Sequence, residues 1–131
     1  MVDREFEIYN EIYTIMHEQF PELDMSSLYE RVPSAFPHAS IVEIDNSVYA
    51  PTHDCKERHA AVTYEVNVYS NKTQGKKAEA KKIMAALDEC FGKLNFTRMM
   101  CEPIPNLDDS TIYRMVARYN AVYSEDYIYR R

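Results

Sequence analysis

Four groups of residues in this chain have types and spacings that chemistry can use. His53, Asp54 and Cys55, followed by His59, are the ligand types of a zinc site. Structural zinc sites carry a second paired ligand set, and no C-x-x-C or similar pair accompanies this one. Cys55 with His59 as base also has the makings of a thiol nucleophile, although no third residue stands out to orient the histidine. Lys56, Glu57 and Arg58 fill the interval, so the plainer reading is a solvated loop. Asp108 and Asp109, with Glu102 upstream, offer paired carboxylates for acid–base work or a hard cation. Adjacent acids before a strand more commonly form turns and guard sheet edges. Lys76/Lys77 and Lys81/Lys82 form a basic helix face, either solvated or an interaction surface. Arg114 and Arg118 alternate with Val116 on one face of a strand. Guanidiniums at that spacing suit carboxylates across a subunit interface or within the chain. No recognisable catalytic set emerges, so no enzyme activity, metal or cofactor is expected.

The elements that must position these groups are legible from periodicity. Ala60 to Tyr69 alternates, with Val62, Tyr64, Val66 and Val68 on one side and Thr63, Glu65 and Asn67 on the other, the pattern of a half-buried strand. Spacings of three and four predict a helix over Asp3 to Phe20, its stripe made by Phe6, Tyr9, Tyr13, Met16 and Phe20 and widened by Ile8, Ile12 and Ile15. His17 falls in its last turn, where a partial positive charge suits the helix dipole. Pro21 to Pro37 is a connection containing a short helix or strand. Strands are predicted at Ala39 to Ile44 and Asn95 to Met100. Asp45-Asn46-Ser47 reads as a turn, and Val48 to Arg58 as a long loop. A helix from Lys76 to about Leu94 follows, with Thr73 as N-cap and Gly92 marking its end. The last strand, Thr111 to Tyr123, sets Tyr113, Met115, Ala117, Tyr119, Ala121 and Tyr123 on one face and Arg114, Val116 and Arg118 on the other.

The expected fold is therefore α+β: a single small mixed or antiparallel sheet of about four strands packed with two helices, in the order α-β-β-α-β-β. The 131 residues suit one domain, with 121–131 as a flexible or swapped arm and Asp126 to Arg131 as a short strand or free arm. Hydrophobic residues at 46% and charged residues at 27% are usual for a globular domain. Two glycines argue against phosphate-cradling loops, while eleven tyrosines suit sheet faces and interfaces. Three cysteines without metal-type pairing are expected to stay reduced, Cys90 as a small core residue. The N-terminus has no signal pattern and no apolar run suits a membrane span, so a cytosolic protein is expected.

The formal charge of −6 is uneven. Residues 1–70 carry 13 acids and 4 bases, a balance of −9, and residues 71–131 carry 8 acids and 11 bases, a balance of +3. Two solvated faces of different sign would look like this. So would a head-to-tail oligomer whose acidic face meets a neighbour's basic face. An acidic chain lacks the basic footprint of nucleic-acid binding.

The order, length and texture of these elements resemble the tail terminators, or tail completion proteins, of tailed phages and prophages, similar to the minor tail protein U of lambda-like siphophages. The resemblance spans nearly the whole chain. It is carried by the N-terminal helix, Phe36-Pro37-His38-Ala39-Ser40-Ile41-Val42, the long loop, Tyr64-Glu65-Val66-Asn67-Val68-Tyr69, the lysine-bearing helix, Ile104-Pro105-Asn106-Leu107, and Ile112-Tyr113-Arg114 through Arg118-Tyr119. It implies a virion structural protein that forms a ring, typically a hexamer. Such a ring caps the finished tail tube, ends its polymerisation and presents the head-tail joining surface. Implied partners are further copies of the chain, the tail tube protein and the head-tail connector protein. DNA passes through the channel without specific binding, so an acidic lumen makes sense. No membrane is involved; the protein would act in the host cytoplasm during assembly and then reside in the virion tail and neck. On this reading, Tyr49, Pro51, His53, Asp54, Lys56 and Arg58 of the long loop are expected at the tube contact. Asn106, Asp108, Asp109, Arg114 and Arg118 are expected at subunit contacts. Competing readings are another neck or connector component, a metal-binding or thiol enzyme using the His53–His59 loop, and a monomeric binding module.

Overall fold

The computed structural model describes residues 3–28, 33, 35–48, 60–105, 111–123 and 128–129. Their elements run α1 (Glu5–Gln19), β1 (Asp24–Ser26), β2 (His38–Val48), β3 (Ala60–Ser70), α2 (Lys76–Lys93), β4 (Thr97–Pro103), β5 (Tyr113–Tyr123) and β6 (Ile128–Tyr129). The strands form one mixed sheet in the order β1-β2-β3-β5-β4, with β6 also pairing β5. This is the expected α+β architecture with two strands added. β1 arises in the connection after α1 and lies parallel to β2, while every other pairing is antiparallel. The Asp24 amide donates to the Pro37 carbonyl at 2.9 Å, which ties β1 to the start of β2. β6 folds part of the C-terminal arm back against Val122 and Tyr123.

Both helices pack on one face of the sheet. Val62, Tyr64, Val66 and Val68 of β3 and Met115, Ala117, Tyr119 and Ala121 of β5 supply its centre. Over them lie Ala80, Ile83, Met84, Leu87, Cys90 and Phe91 of α2. Four rings fill the middle. Phe91 stacks on Tyr119 with centroids 4.4 Å apart, and Phe96 meets Phe91 and Tyr64 edge-on at 5.2 and 5.3 Å. Stacked and edge-on geometries suit the ring quadrupoles, adding about 0.5–1.5 kcal/mol per pair beyond area burial.

Several local expectations are corrected. In α1 the buried residues are Ile8, Ile12 and Met16, whereas Phe6 is 81% exposed and Tyr13 is also exposed. Two apolar stripes overlap on this helix, and the aliphatic one takes the seat in the cluster that holds Ala39 and Ile41. The expected turn at Asp45-Asn46-Ser47 lies inside β2. A bulge between Glu43 and Asp45 absorbs one residue, so these polar residues keep pairing with Thr63, Val62 and Ala61, and Ile44 turns outward. β4 continues through Pro103, a residue tolerated there because a proline on an edge strand can leave its missing N–H side unpaired. Gly75, not Thr73, caps α2, with φ +81 and no side-chain cap; glycine enters that left-handed region without a Cβ clash. Gly92 stays within α2, and Asn95 at φ 66 turns the chain beyond the helix. Among the described residues, no helix is long and apolar enough to cross a membrane.

The core makes two predictions. Phe91→Ala removes the ring that touches three others and is expected to cost about 3–5 kcal/mol in urea unfolding. The Tyr119 hydroxyl donates to Asp88 Oδ1 at 2.8 Å, and burial followed by this bond pushes the phenol far above its ordinary value. A raised folded-state value stabilises the fold below the unfolded phenol's pKa of about 10 and ceases to do so as pH climbs further. Wild type should therefore lose stability above about pH 10, and Tyr119→Phe should lose less over the same range.

Candidate functional site

The second face of the sheet carries the polar residues of β2, β3 and β5, and strand register decides which of them meet. The β3–β5 ladder sets Glu65 opposite Arg118, Asn67 opposite Val116 and Tyr69 opposite Arg114. Arg114 then reaches diagonally to Asn67, whose Oδ1 accepts from its Nε and Nη2 at 3.0 and 2.8 Å. Its guanidinium also lies over Tyr69, 5.8 Å from the ring centroid. Asn67 Nδ2 donates to Glu65 Oε1 at 3.2 Å, and Glu65 Oε2 accepts from Arg118 Nε and Nη2 at 3.2 and 3.0 Å. The result is one lattice, Tyr69–Arg114–Asn67–Glu65–Arg118.

This lattice is more buried than a half-buried strand implies. Asn67 and Tyr69 are fully inaccessible, although no described helix packs on their side. Both arginines expected at subunit contacts are engaged within the chain. They differ in exposure, however: Arg114 is partly buried, whereas half of the Arg118 side chain faces solvent. Arg118 borders an open cleft of about 400 Å³ with Glu65, Met100 and Glu102 along its walls. Its half-exposed guanidinium can meet an external carboxylate there without first being taken out of water, whereas that of Arg114, which lines the same cleft, is partly buried.

A second polar chain joins the lattice at Tyr69. The His38 ring centroid is 5.9 Å from that of Tyr69, and His38 Nδ1 lies 2.8 Å from Asp24 Oδ2. His38 Nε2 is 3.5 Å from Ser26 Oγ. Asp24, His38 and Ser26 thus stand in the order of a hydrolase triad, in which serine must hand its proton to histidine. Here the Ser26 hydroxyl instead donates to the Leu28 carbonyl at 2.8 Å, and His38 is wholly buried. The arrangement fastens β1 to β2. Ser40 Oγ, buried on β2, has no hydrogen-bond partner among the described residues.

Sequence reasoning placed Arg114 and Arg118 on one face but missed Asn67, Tyr69, His38 and Asp24 as their company. The alternation in β3 marked Asn67 as outward, yet only the register with β5 gives it to Arg114. Tyr49, Pro51, His53, Asp54, Lys56, Arg58, Asn106, Asp108 and Asp109 lie outside the described residues, as do Cys55 and His59. Cys90 is buried in the core, where desolvation pushes its thiol up, away from the reactive thiolate. Asp3, Glu5 and Glu43 bring carboxylate oxygens within 4.8 Å of one another near the start of α1.

The lattice has an energetic signature that separates its two halves. Asn67→Ala strips a partly buried guanidinium of its acceptor and should cost about 1.5–3 kcal/mol. Glu65→Gln weakens an exposed ion pair and should cost under about 1 kcal/mol. Urea midpoints at unchanged m-value measure both, and equal losses would contradict the division.

No family model matches the chain, and no curated protein matches it.

Proposed function

We propose that this chain is a phage or prophage tail-terminator protein, which assembles into a ring, typically six subunits, on the end of a finished tail tube. One ring face binds the last tube layer and ends polymerisation; the other receives the head-side connector. The action is steric and conformational, with no reaction step. DNA passes through the channel without specific contact. The protein acts in the host cytoplasm during assembly and then stays in the virion neck.

The observation that supports the reading most is the second face, on which no described helix packs and Arg118 remains half exposed beside Glu65 at an open cleft. An internally satisfied lattice with one exposed charge at its margin suits a protein that docks. The Asp24–His38–Ser26 chain, with its histidine buried and its serine hydroxyl turned to the Leu28 carbonyl, favours assembly over hydrolysis as the use of this fold. The sequence resemblance supplies the kind of assembly, and the mixed sheet packed with two helices accords with it.

Light scattering and negative-stain imaging of the full chain, alone and with tail tubes of the same phage, test the reading. Rings that cap tube ends and stop further growth are expected. A chain that stays monomeric and leaves tube growth unchanged would contradict it. Binding to the connector but never to tubes would move the protein to another neck position. Arg118→Glu should weaken ring assembly, whereas wild-type assembly by that variant would remove the cleft from the subunit contact.

A further inference from the structure

The molecule has two chemically unlike ends, set by the two edges of its sheet. At the β1 edge, one flank of α1 presents the aromatic stripe that the core did not take. Phe6 is 81% exposed, Tyr13 lies 6.0 Å from Tyr9 and stacks on His17 at 4.1 Å, and Leu28, just past β1, is 73% exposed. Phe6, Tyr9 and Ser27 line a common hollow, which places this stripe beside β1. Its described rim is acidic: Asp3, Glu5 and Glu7 line the same hollow, and the one cation among its described lining residues, Arg4, is bound to Glu7 at 2.7 Å. An exposed phenylalanine inside a carboxylate collar is an expensive surface to leave wet, and contiguous patches of this kind mark contact sites.

The β4 edge is the complement. β4 pairs with β5 on one side, and its exposed residues include Arg98, Glu102 and Met99, the last 60% exposed with its sulfur accepting from Asn120 Nδ2 at 3.0 Å on the second face. The Arg98–Asp88 ion pair at 3.2 Å shows which flank of α2 lies above this edge. Lys81 belongs to that flank, since it lies two turns before Asp88 on α2, and Lys77 stands one turn before it. Both lysines are exposed. Asp88 is already engaged by Arg98 and Tyr119, so the flank is net basic.

We propose that the α1–β1 end of one copy docks on the β4–α2 end of the next. Phe6 and Leu28 would cover the exposed part of Met99 at the β4 edge, while Lys77 and Lys81 would meet the carboxylates of the collar and the faces of the tyrosines. Charge complementarity selects this occupant. Two α1 ends facing each other would oppose like collars, and two β4 ends would oppose like cations. A contact between different patches at opposite ends of a sheet is heterologous, and successive copies joined this way either close into a ring or grow into a filament. The inference deepens the ring reading above by naming the two faces that meet.

Sedimentation velocity on the full chain tests it with exposed residues whose replacement leaves the core intact. Phe6→Ser should weaken self-association about tenfold or more, as loss of a central aromatic anchor does. The double variants Asp3→Lys with Glu7→Lys, and Lys77→Glu with Lys81→Glu, should each be monomeric at concentrations where wild type assembles. Mixing the two should restore assembly, because each reversed end then finds an opposite charge on the other variant. Circular dichroism unchanged from wild type would accompany these results. Assembly of either charge-reversed variant at wild-type strength, or no gain on mixing, would overturn the inference while leaving the ring reading standing. Monomeric wild type that also fails to gather on tail tubes would overturn both.

Discussion

The ladder between β3 and β5 is the constraint on which the rest of the molecule depends. Eleven residues of β3 pair in unbroken register with β5, and both neighbouring strands, β2 and β4, take their positions from this pair. Side chains alternate across it, so one register places Tyr64 beside Tyr119 in the aromatic core and Glu65 beside Arg118 on the second face. A slip of one residue would turn one strand over against the other, sending Glu65 or Arg118 under α2 and its neighbouring tyrosine outward. The cost of burying those charges fixes the register from one side, and the stacking of Phe91 on Tyr119 fixes it from the other.

From this ladder the division of labour between the faces follows. The helix side is apolar and supplies the driving force for folding, with hydrogen bonding confined to points such as Tyr119 and Asp88. The second face is polar yet deeply buried at Asn67 and Tyr69, so it must satisfy itself internally. Arg114 does this by serving both Asn67 and Tyr69. Arg118 lies four residues further along the strand and nearer solvent, so its pairing with Glu65 leaves a charge within reach of a partner. The same strand spacing thus yields one structural arginine and one presented arginine.

Periodicity made β3, α2 and β5 legible almost to the residue, because each has a long run with one dominant repeat. Facing was also legible in β5: Tyr113 to Tyr119 does point to the core, and Arg114 and Arg118 away from it. Facing was lost in α1, where aromatic and aliphatic stripes have the same three-and-four spacing and only the sheet surface decides between them. The end of β2 was hidden because Asp45-Asn46-Ser47 has turn chemistry, and a bulge overrides that preference through pairing with β3. The lattice itself is a matter of tertiary register. Nothing local to Asn67 reveals that a guanidinium from position 114 ends on its carbonyl oxygen, or that Asp24 reaches His38 across fourteen positions.

In the proposed assembly, the two unlike edges of this sheet meet across one repeated contact between copies. Carbodiimide cross-linking of a mixture of isotopically light and heavy chains, read by mass spectrometry, addresses it directly. Light-to-heavy links should join Asp3, Glu5 or Glu7 of one copy to Lys77 or Lys81 of another. Mixed-label links confined to other faces, or none at concentrations where rings form, would contradict the claim.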